Sequence, residues 1–261
     1  MIQVPMKTAG PLNKQTVLSI NQKRIQGPKS SQDIFSINAG SAGNSYHSRP
    51  ASAQRPAPSA AVPQNAAARP AAQRPIPSLL HPMRKGEKAS LESNGALVKV
   101  KACLGWNVTN SACDVDVSAF LLNESGRVLG DAWFVFYGQE ISPDGSTVFS
   151  ADSDTDRETI SIDFHKLNNK VHKIVFVLTI HEALEKRLNF SMLKDAYIRI
   201  IDQASGQELA GFQMDEYYSN VTSMMIGEIY RHKNIWKFNA IGNGVAKDLA
   251  GLCALYGVQV V

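Results

Sequence analysis

The residues of this chain whose types and spacing could do chemistry are carboxylates. Asp114 and Asp116 stand two apart at the head of an apolar run. Asp152, Asp154, Asp156 and Glu158 follow one another at the same spacing some 35 residues later. A spacing of two puts alternate side chains on one side of an extended segment. Hard cations such as calcium bind clusters of carboxylate and carbonyl oxygens. The plainer reading of the same pattern is a solvated acidic turn, because Asp also caps its own backbone in turns. Composition leaves both readings open.

Other chemistries find less support. The pair His181-Glu182 is half of a zinc-protease helix motif, but its second His is missing. The six histidines are scattered singly, at 47, 81, 165, 172, 181 and 232, and no Ser lies in a nucleophile elbow. Gly242-Asn243-Gly244 could hold an anion ahead of a helix, or could simply turn a hairpin into that helix. Cys103, Cys113 and Cys253 contain no CxxC pair, which argues against a disulfide framework and a thiolate zinc site. No nucleophile–base pair emerges, so binding rather than catalysis is expected.

The elements that must position the carboxylates lie in the second part of a divided chain. Residues 1–90 carry 12 Lys or Arg and 2 Asp or Glu, whereas residues 91–261 carry 15 and 21. The net charges, +10 and −6, sum to the overall +4. The first part also holds 11 of the 12 prolines and, as aromatics, only Phe35 and Tyr46. Such a composition buries too little apolar surface to offset its ordering entropy, so residues 1–83 are expected to be a disordered, basic, Pro/Ala-rich region. Arg-Pro recurs there at 49, 55, 69 and 74, a pattern for extended polyproline spacers. Its charges are spread singly without aromatic interleaving, so no nucleic-acid partner is expected. Attraction to acidic surfaces, including the chain's own domain, suits it better. No apolar run is long enough to span a membrane, and the N-terminus lacks a signal-peptide pattern, so a cytoplasmic protein is expected.

From about Arg84 onward the pattern is of short strands. Val98, Val100 and Ala102 alternate with lysines, and Gly105-Trp106-Asn107 is expected to turn the chain. Val115–Leu122, Trp133–Tyr137 and the stretch around Ile160, Ile162 and Phe164 read as further strands. Asn123–Gly126 and Ser142-Pro-Asp-Gly145 read as turns. Lys173–Ile180 is apolar at nearly every position, as a central strand covered on both faces should be. Residues 182–194 read as a short helical stretch, and two more hairpins follow. Leu249, Leu252, Cys253 and Tyr256 are spaced as one helix face ended by Gly257. The expected class is all-β: a two-sheet β-sandwich over residues 84–261 with a short C-terminal helix.

Several of these segments, in order, resemble the TerD family, the tellurite-resistance and stress-response domain. They include Leu104-Gly-Trp106, Asp114-Val-Asp-Val-Ser-Ala-Phe-Leu-Leu122, Phe134-Val-Phe-Tyr137, Asp156-Arg-Glu158, Ile180-His-Glu-Ala183, Gly227-Glu-Ile-Tyr-Arg231 and Trp236-Lys-Phe238. The resemblance implies a β-sandwich that binds calcium through acidic loops. It implies a role in resistance to tellurite and other stresses, through complexes with other stress-response proteins near the inner membrane face. By position, the implied metal ligands are Asp114, Asp116, Asp152, Asp156 and Glu158, with Glu182 in addition. Changing Asp114 or Asp156 to Asn is then expected to weaken calcium binding tenfold or more, ~1.4 kcal/mol, and to leave the metal-free domain equally stable or slightly more stable. The chain departs from the family pattern at Asn107, Trp133, Gly138-Gln139 and Arg157, and its acidic loop is shortened. The alternative is a scaffold whose β domain and basic tail join partner proteins without metal.

Overall fold

A computed structural model describes residues 73–92, 99–151 and 156–260. They form two six-stranded sheets packed face to face. The strands are β1 (Pro82–Met83), β2 (Lys88–Ser90), β3 (Lys99–Val108), β4 (Val115–Leu122), β5 (Phe134–Val135) and β6 (Thr147–Ala151). They continue with β7 (Glu158–Asp163), β8 (Lys173–Ile180), β9 (Leu193–Asp202), β10 (Glu208–Gln213), β11 (Ser223–His232) and β12 (Ile235–Val245). The helix α1 (Ala183–Lys186) lies between β8 and β9, and α2 (Leu249–Tyr256) follows β12. One sheet has the order β1-β10-β9-β3-β7-β6 and the other β2-β12-β11-β8-β4-β5. All pairings but β1–β10 are antiparallel.

Alternation decides what each strand buries. Ala102 and Leu104 of β3, Ile160 and Ile162 of β7, and Ile198 and Ile200 of β9 face Val117, Ala119 and Leu121 of β4 and Phe176 and Leu178 of β8. The second sheet has a further apolar layer on its outer side. Phe120, Phe134, Phe136, Val175 and Val177 pack there against Leu252, Cys253 and Val258. Phe134 stacks between Phe120 and Phe136, with ring centroids 4.4 and 4.6 Å away. The short C-terminal helix therefore covers the outer faces of β4 and β8, which explains why both are buried at alternate and intervening positions alike. Asp248 caps α2 by accepting a hydrogen bond from the Gly251 N–H, and Gly257 ends it in the left-handed conformation.

Three expectations are corrected. Gly105-Trp106-Asn107 does not turn the chain; it lies within β3, with a register shift against β9. Glycine is required there because the Tyr197 ring lies across it, and a Cβ would collide with that ring. Trp133–Tyr137 is not one strand: a 3-10 turn, Asp131–Trp133, leads into the two residues of β5. Gly242-Asn243-Gly244 lies inside β12, so it is neither a helix N-terminus nor a hairpin-to-helix turn.

The boundary expected at residue 84 falls inside the fold. Residues 73–83 run along the first sheet, where the Leu80 and His81 N–H groups both donate to Glu208 Oε1 and β1 pairs with β10. A Pro-rich segment docks here through backbone hydrogen bonds, which composition does not reveal, with Leu79 beside Gly211 and Met83 against the core. The expectation of disorder for residues 1–72 lies outside the described residues.

Candidate functional site

The C-terminal ends of β3 and β8 and the N-terminal ends of β4 and β9 meet at one end of the sandwich. The β6–β7 hairpin closes at the Ala151–Glu158 pair and delivers the acidic loop to this same end. Here β5 pairs with β4 only at Ala119 and Phe120. Beyond them the open edge of β4 leaves the Val117 N–H without a partner strand among the described residues. Glu158 reaches across from the other sheet, and its Oε2 accepts that N–H at 2.6 Å. The carboxylate is 2% exposed. A charge-assisted bond to a backbone donor offsets part of the cost of burying it. Glu158 thus ties the acidic loop to β4, one residue from Asp116.

Asp156 is equally committed. It is 4% exposed, and it accepts hydrogen bonds from Arg199 Nε at 3.1 Å, Arg199 Nη2 at 2.8 Å and the Tyr197 hydroxyl at 3.0 Å. Hydrogen bonding to Asp156 raises the Arg199 pKa above its ordinary value, against the opposing effect of burial. Burial, followed by the charge of Asp156, pushes the Tyr197 phenol above its usual range. The same two causes, burial first, push the neighbouring Cys103 thiol up to about 12. This thiol is a buried packing group with no thiolate at neutral pH, hence no nucleophile. Arg157 donates from Nε to the Trp106 carbonyl and lies 5.7 Å above that indole ring.

Residues 73–76 strap this polar face. Asn107 accepts from the Arg74 N–H at 2.9 Å and donates to the Arg74 carbonyl at 3.0 Å, and its amide also donates to Asp195. Arg74 Nη1 donates to the Asp156 carbonyl at 3.2 Å. Aspartate at position 107 would lack the donors that hold the strap and would face Asp195.

The remaining predicted site residues lie apart from this network. The Asp114 side chain is exposed, while its carbonyl accepts the His181 N–H at 2.8 Å. Asp116 is 7% exposed and opens on a cavity of about 220 Å³ between the end of β8, α1 and the start of α2. Glu182 lines that cavity from the left-handed conformation, φ 51°. Its oxygens lie 2.7 Å from Lys186 Nζ and 3.4 Å from His181 Nε2. The Lys186 hydrogen bond first, and the His181 charge next, hold its carboxyl below the usual range. His181 ends a strand, and the turn that follows is too short to be a zinc-protease helix. Asp152 lies outside the described residues. Among the described residues no group of three or more His, Cys, Asp or Glu is arranged to hold a metal ion.

The structure therefore buries Asp156 on the outer face of the first sheet with Arg199 and Tyr197 and turns Glu158 toward the other sheet, sets Asp116 and Glu182 on one cavity, and leaves Asp114 in solvent. The sequence reading missed Arg199, Tyr197 and the role of Asn107. A signal was available: Tyr197 and Arg199 alternate with Ile198 and Ile200, as Cys103, Gly105 and Asn107 do with Leu104 and Trp106. Two adjacent strands thus share a polar outer face. No helix among the described residues is long and apolar enough to cross a membrane.

The family model of the TerD domain matches residues 79–256. The tellurium resistance protein TerD of Serratia marcescens is 38% identical over 186 residues, which cover 68% of this chain and 97% of that protein. General stress protein 16U of Bacillus subtilis (strain 168) is 35% identical over 188 residues, again 68% of this chain and 97% of the relative. Among solved structures, a homologue of telluride resistance protein from Streptomyces coelicolor A3(2) aligns with a TM-score of 0.47 at 17% identity. That alignment covers 64% of this chain and all of the other.

Proposed function

The chain belongs to the TerD domain family, and from that premise we propose that it is a stress-response domain that acts by binding a hard cation, calcium, rather than by catalysis. Relatives named for tellurium resistance and general stress support the broad role. The observation that carries the finer reading is the Glu158–Val117 hydrogen bond, which fixes the acidic loop beside Asp116. The donors there are carboxylate oxygens, the chemistry calcium prefers. Their number decides which of them serve. Asp156 is spent on Arg199 and Tyr197, and Glu158 on a backbone N–H, so both position the loop. Asp114 and Asp116, two apart at the head of β4, are the ligands this reading assigns on the strand side. Calcium takes 6–8 oxygens, so Asp152 and its neighbours in 152–155 would have to supply the rest. Glu182, paired with Lys186, is outside the set.

A second reading is favoured by one specific observation. Arg199 already places a cation on Asp156, so the domain could serve as a metal-free scaffold joined to partner proteins. Calcium titration of Asp116→Asn separates the two. The first reading expects at least tenfold weaker binding, ~1.4 kcal/mol. Unchanged affinity in both Asp116→Asn and Asp114→Asn would favour the scaffold. In either case we place its work in cytoplasmic complexes with other stress-response proteins at the inner membrane face, without nucleic acid.

A further inference from the structure

The lining of the cavity beside Asp116 is predominantly acidic: Asp116, Glu185 and Asp248 line it together with Glu182, which is paired with Lys186, and with His181. Its remaining walls, Leu249 and Cys253 among them, are apolar, and Leu184 at its rim is 56% exposed. Such a cavity suits a guanidinium carried on an apolar peptide.

The chain holds that chemistry. Residues 1–72 carry eight Lys or Arg and one Asp, a net of +7, against 19 Lys or Arg and 22 Asp or Glu, a net of −3, in residues 73–261. Arg49-Pro50, Arg55-Pro56 and Arg69-Pro70 fall within a stretch, 48–72, that has no acidic residue. A fourth unit, Arg74-Pro75, is already seated on the domain, its backbone held by Asn107 and its guanidinium on the Asp156 carbonyl. The chain enters the fold at the cavity's end of the sandwich. Gln73 Nε2 donates to the Val108 carbonyl, and six residues beyond Val108 the Asp114 carbonyl holds His181 of the cavity wall. Six residues span at most about 20 Å, and a 25-residue segment reaches well beyond that.

We propose that residues 48–72 dock on the acidic cavity, with an Arg-Pro unit placing its guanidinium among Asp116, Glu185 and Asp248 and its proline against the apolar wall. Proline restricts the free segment, so less conformational entropy is lost on docking. The contact depends on charge and is weakened by salt. It does not rest on the calcium reading, and its test is run with chelator present throughout.

The test compares amide spectra of the ¹⁵N-labelled full chain with those of the Arg49→Ala/Arg55→Ala/Arg69→Ala variant. The expected result is a shift of signals from residues 181–185 and 248–253 at low salt. The difference should vanish at high salt and be independent of protein concentration. Identical cavity signals in the native and triple Ala chains would overturn the proposal. So would shifts confined to Asn107 and Asp195, which would place the segment on the strap's face. A concentration-dependent shift would give the cavity to a second copy of the chain. Cavity shifts produced only by an added Arg-Pro peptide would give it to an outside partner. Either result would overturn docking by residues 48–72 of the same chain.

Discussion

Asp156 shows how a residue's type can be right for one chemistry while its surroundings assign another. As a metal ligand it would repel its neighbours in the metal-free domain, and neutralising it would cost no stability. Its carboxylate instead pairs with Arg199 and Tyr197 in a nearly closed site. Asp156→Asn leaves the Arg199 guanidinium without its counter-charge, and breaking a buried pair from one side costs roughly 3–5 kcal/mol. Arg199 is 20% exposed at its side chain, which puts the expected loss at the lower end, about 3 kcal/mol. Urea unfolding in chelator measures it; an equally stable variant would return Asp156 to the role of ligand. Asn107→Asp is expected to lose about 1–3 kcal/mol, because it removes the donors to Arg74 and Asp195 and adds a repelling charge. Protection of the Arg74 amide from hydrogen exchange should fall with it.

At the scale of elements, turns and strand edges carry the polar residues that matter. The turn Ser142–Gly145 is organised by Asp144, which accepts hydrogen bonds from the Ser142 hydroxyl, the Ser146 N–H and the Asn168 N–H. Burial opposes its ionisation, but these hydrogen bonds outweigh burial and hold its carboxyl below the usual range. A carboxyl depressed in the folded state stabilises it above the unfolded pKa, about 3.9. That stabilisation is lost as pH falls through the lower folded value. Asp144→Asn should therefore lower the urea midpoint at neutral pH and flatten its fall below about pH 4. A variant with the native acid profile would remove Asp144 from that role. The β11–β12 hairpin turns on Lys233 and Asn234, both at positive φ, 52° and 63°. Lys233→Asn with Asn234→Gly supplies the residues such a two-residue turn prefers and should stabilise the domain by about 1 kcal/mol in thermal unfolding.

Across the whole molecule, the sequence was legible where one physical signal dominated. The nearly unbroken apolar run of β8 foretold a strand covered on both faces, and the Leu249–Tyr256 spacing foretold the helix that covers one of them. Gly105 misled because glycine serves both turns and close packing, and the Tyr197 ring that demands it lies 92 residues away in the chain. The site was half legible for a related reason. Spacing of two suggests that Asp156 and Glu158 share a side, but Asp156 precedes β7 and turns outward to Arg199, while Glu158 turns inward to the edge of β4. The strap of residues 73–83 was hidden because backbone hydrogen bonds leave no mark on composition.

The claim on which this account turns is that the acidic end of the sandwich takes calcium. Thermal unfolding of the full chain, in chelator and then in rising calcium or magnesium, tests it most directly. A ligand bound only by the folded state raises the melting temperature with its concentration. A calcium site gives a rise with calcium, little or none with magnesium, and a smaller rise for Asp116→Asn. A melting temperature indifferent to millimolar calcium would contradict it and leave the metal-free scaffold.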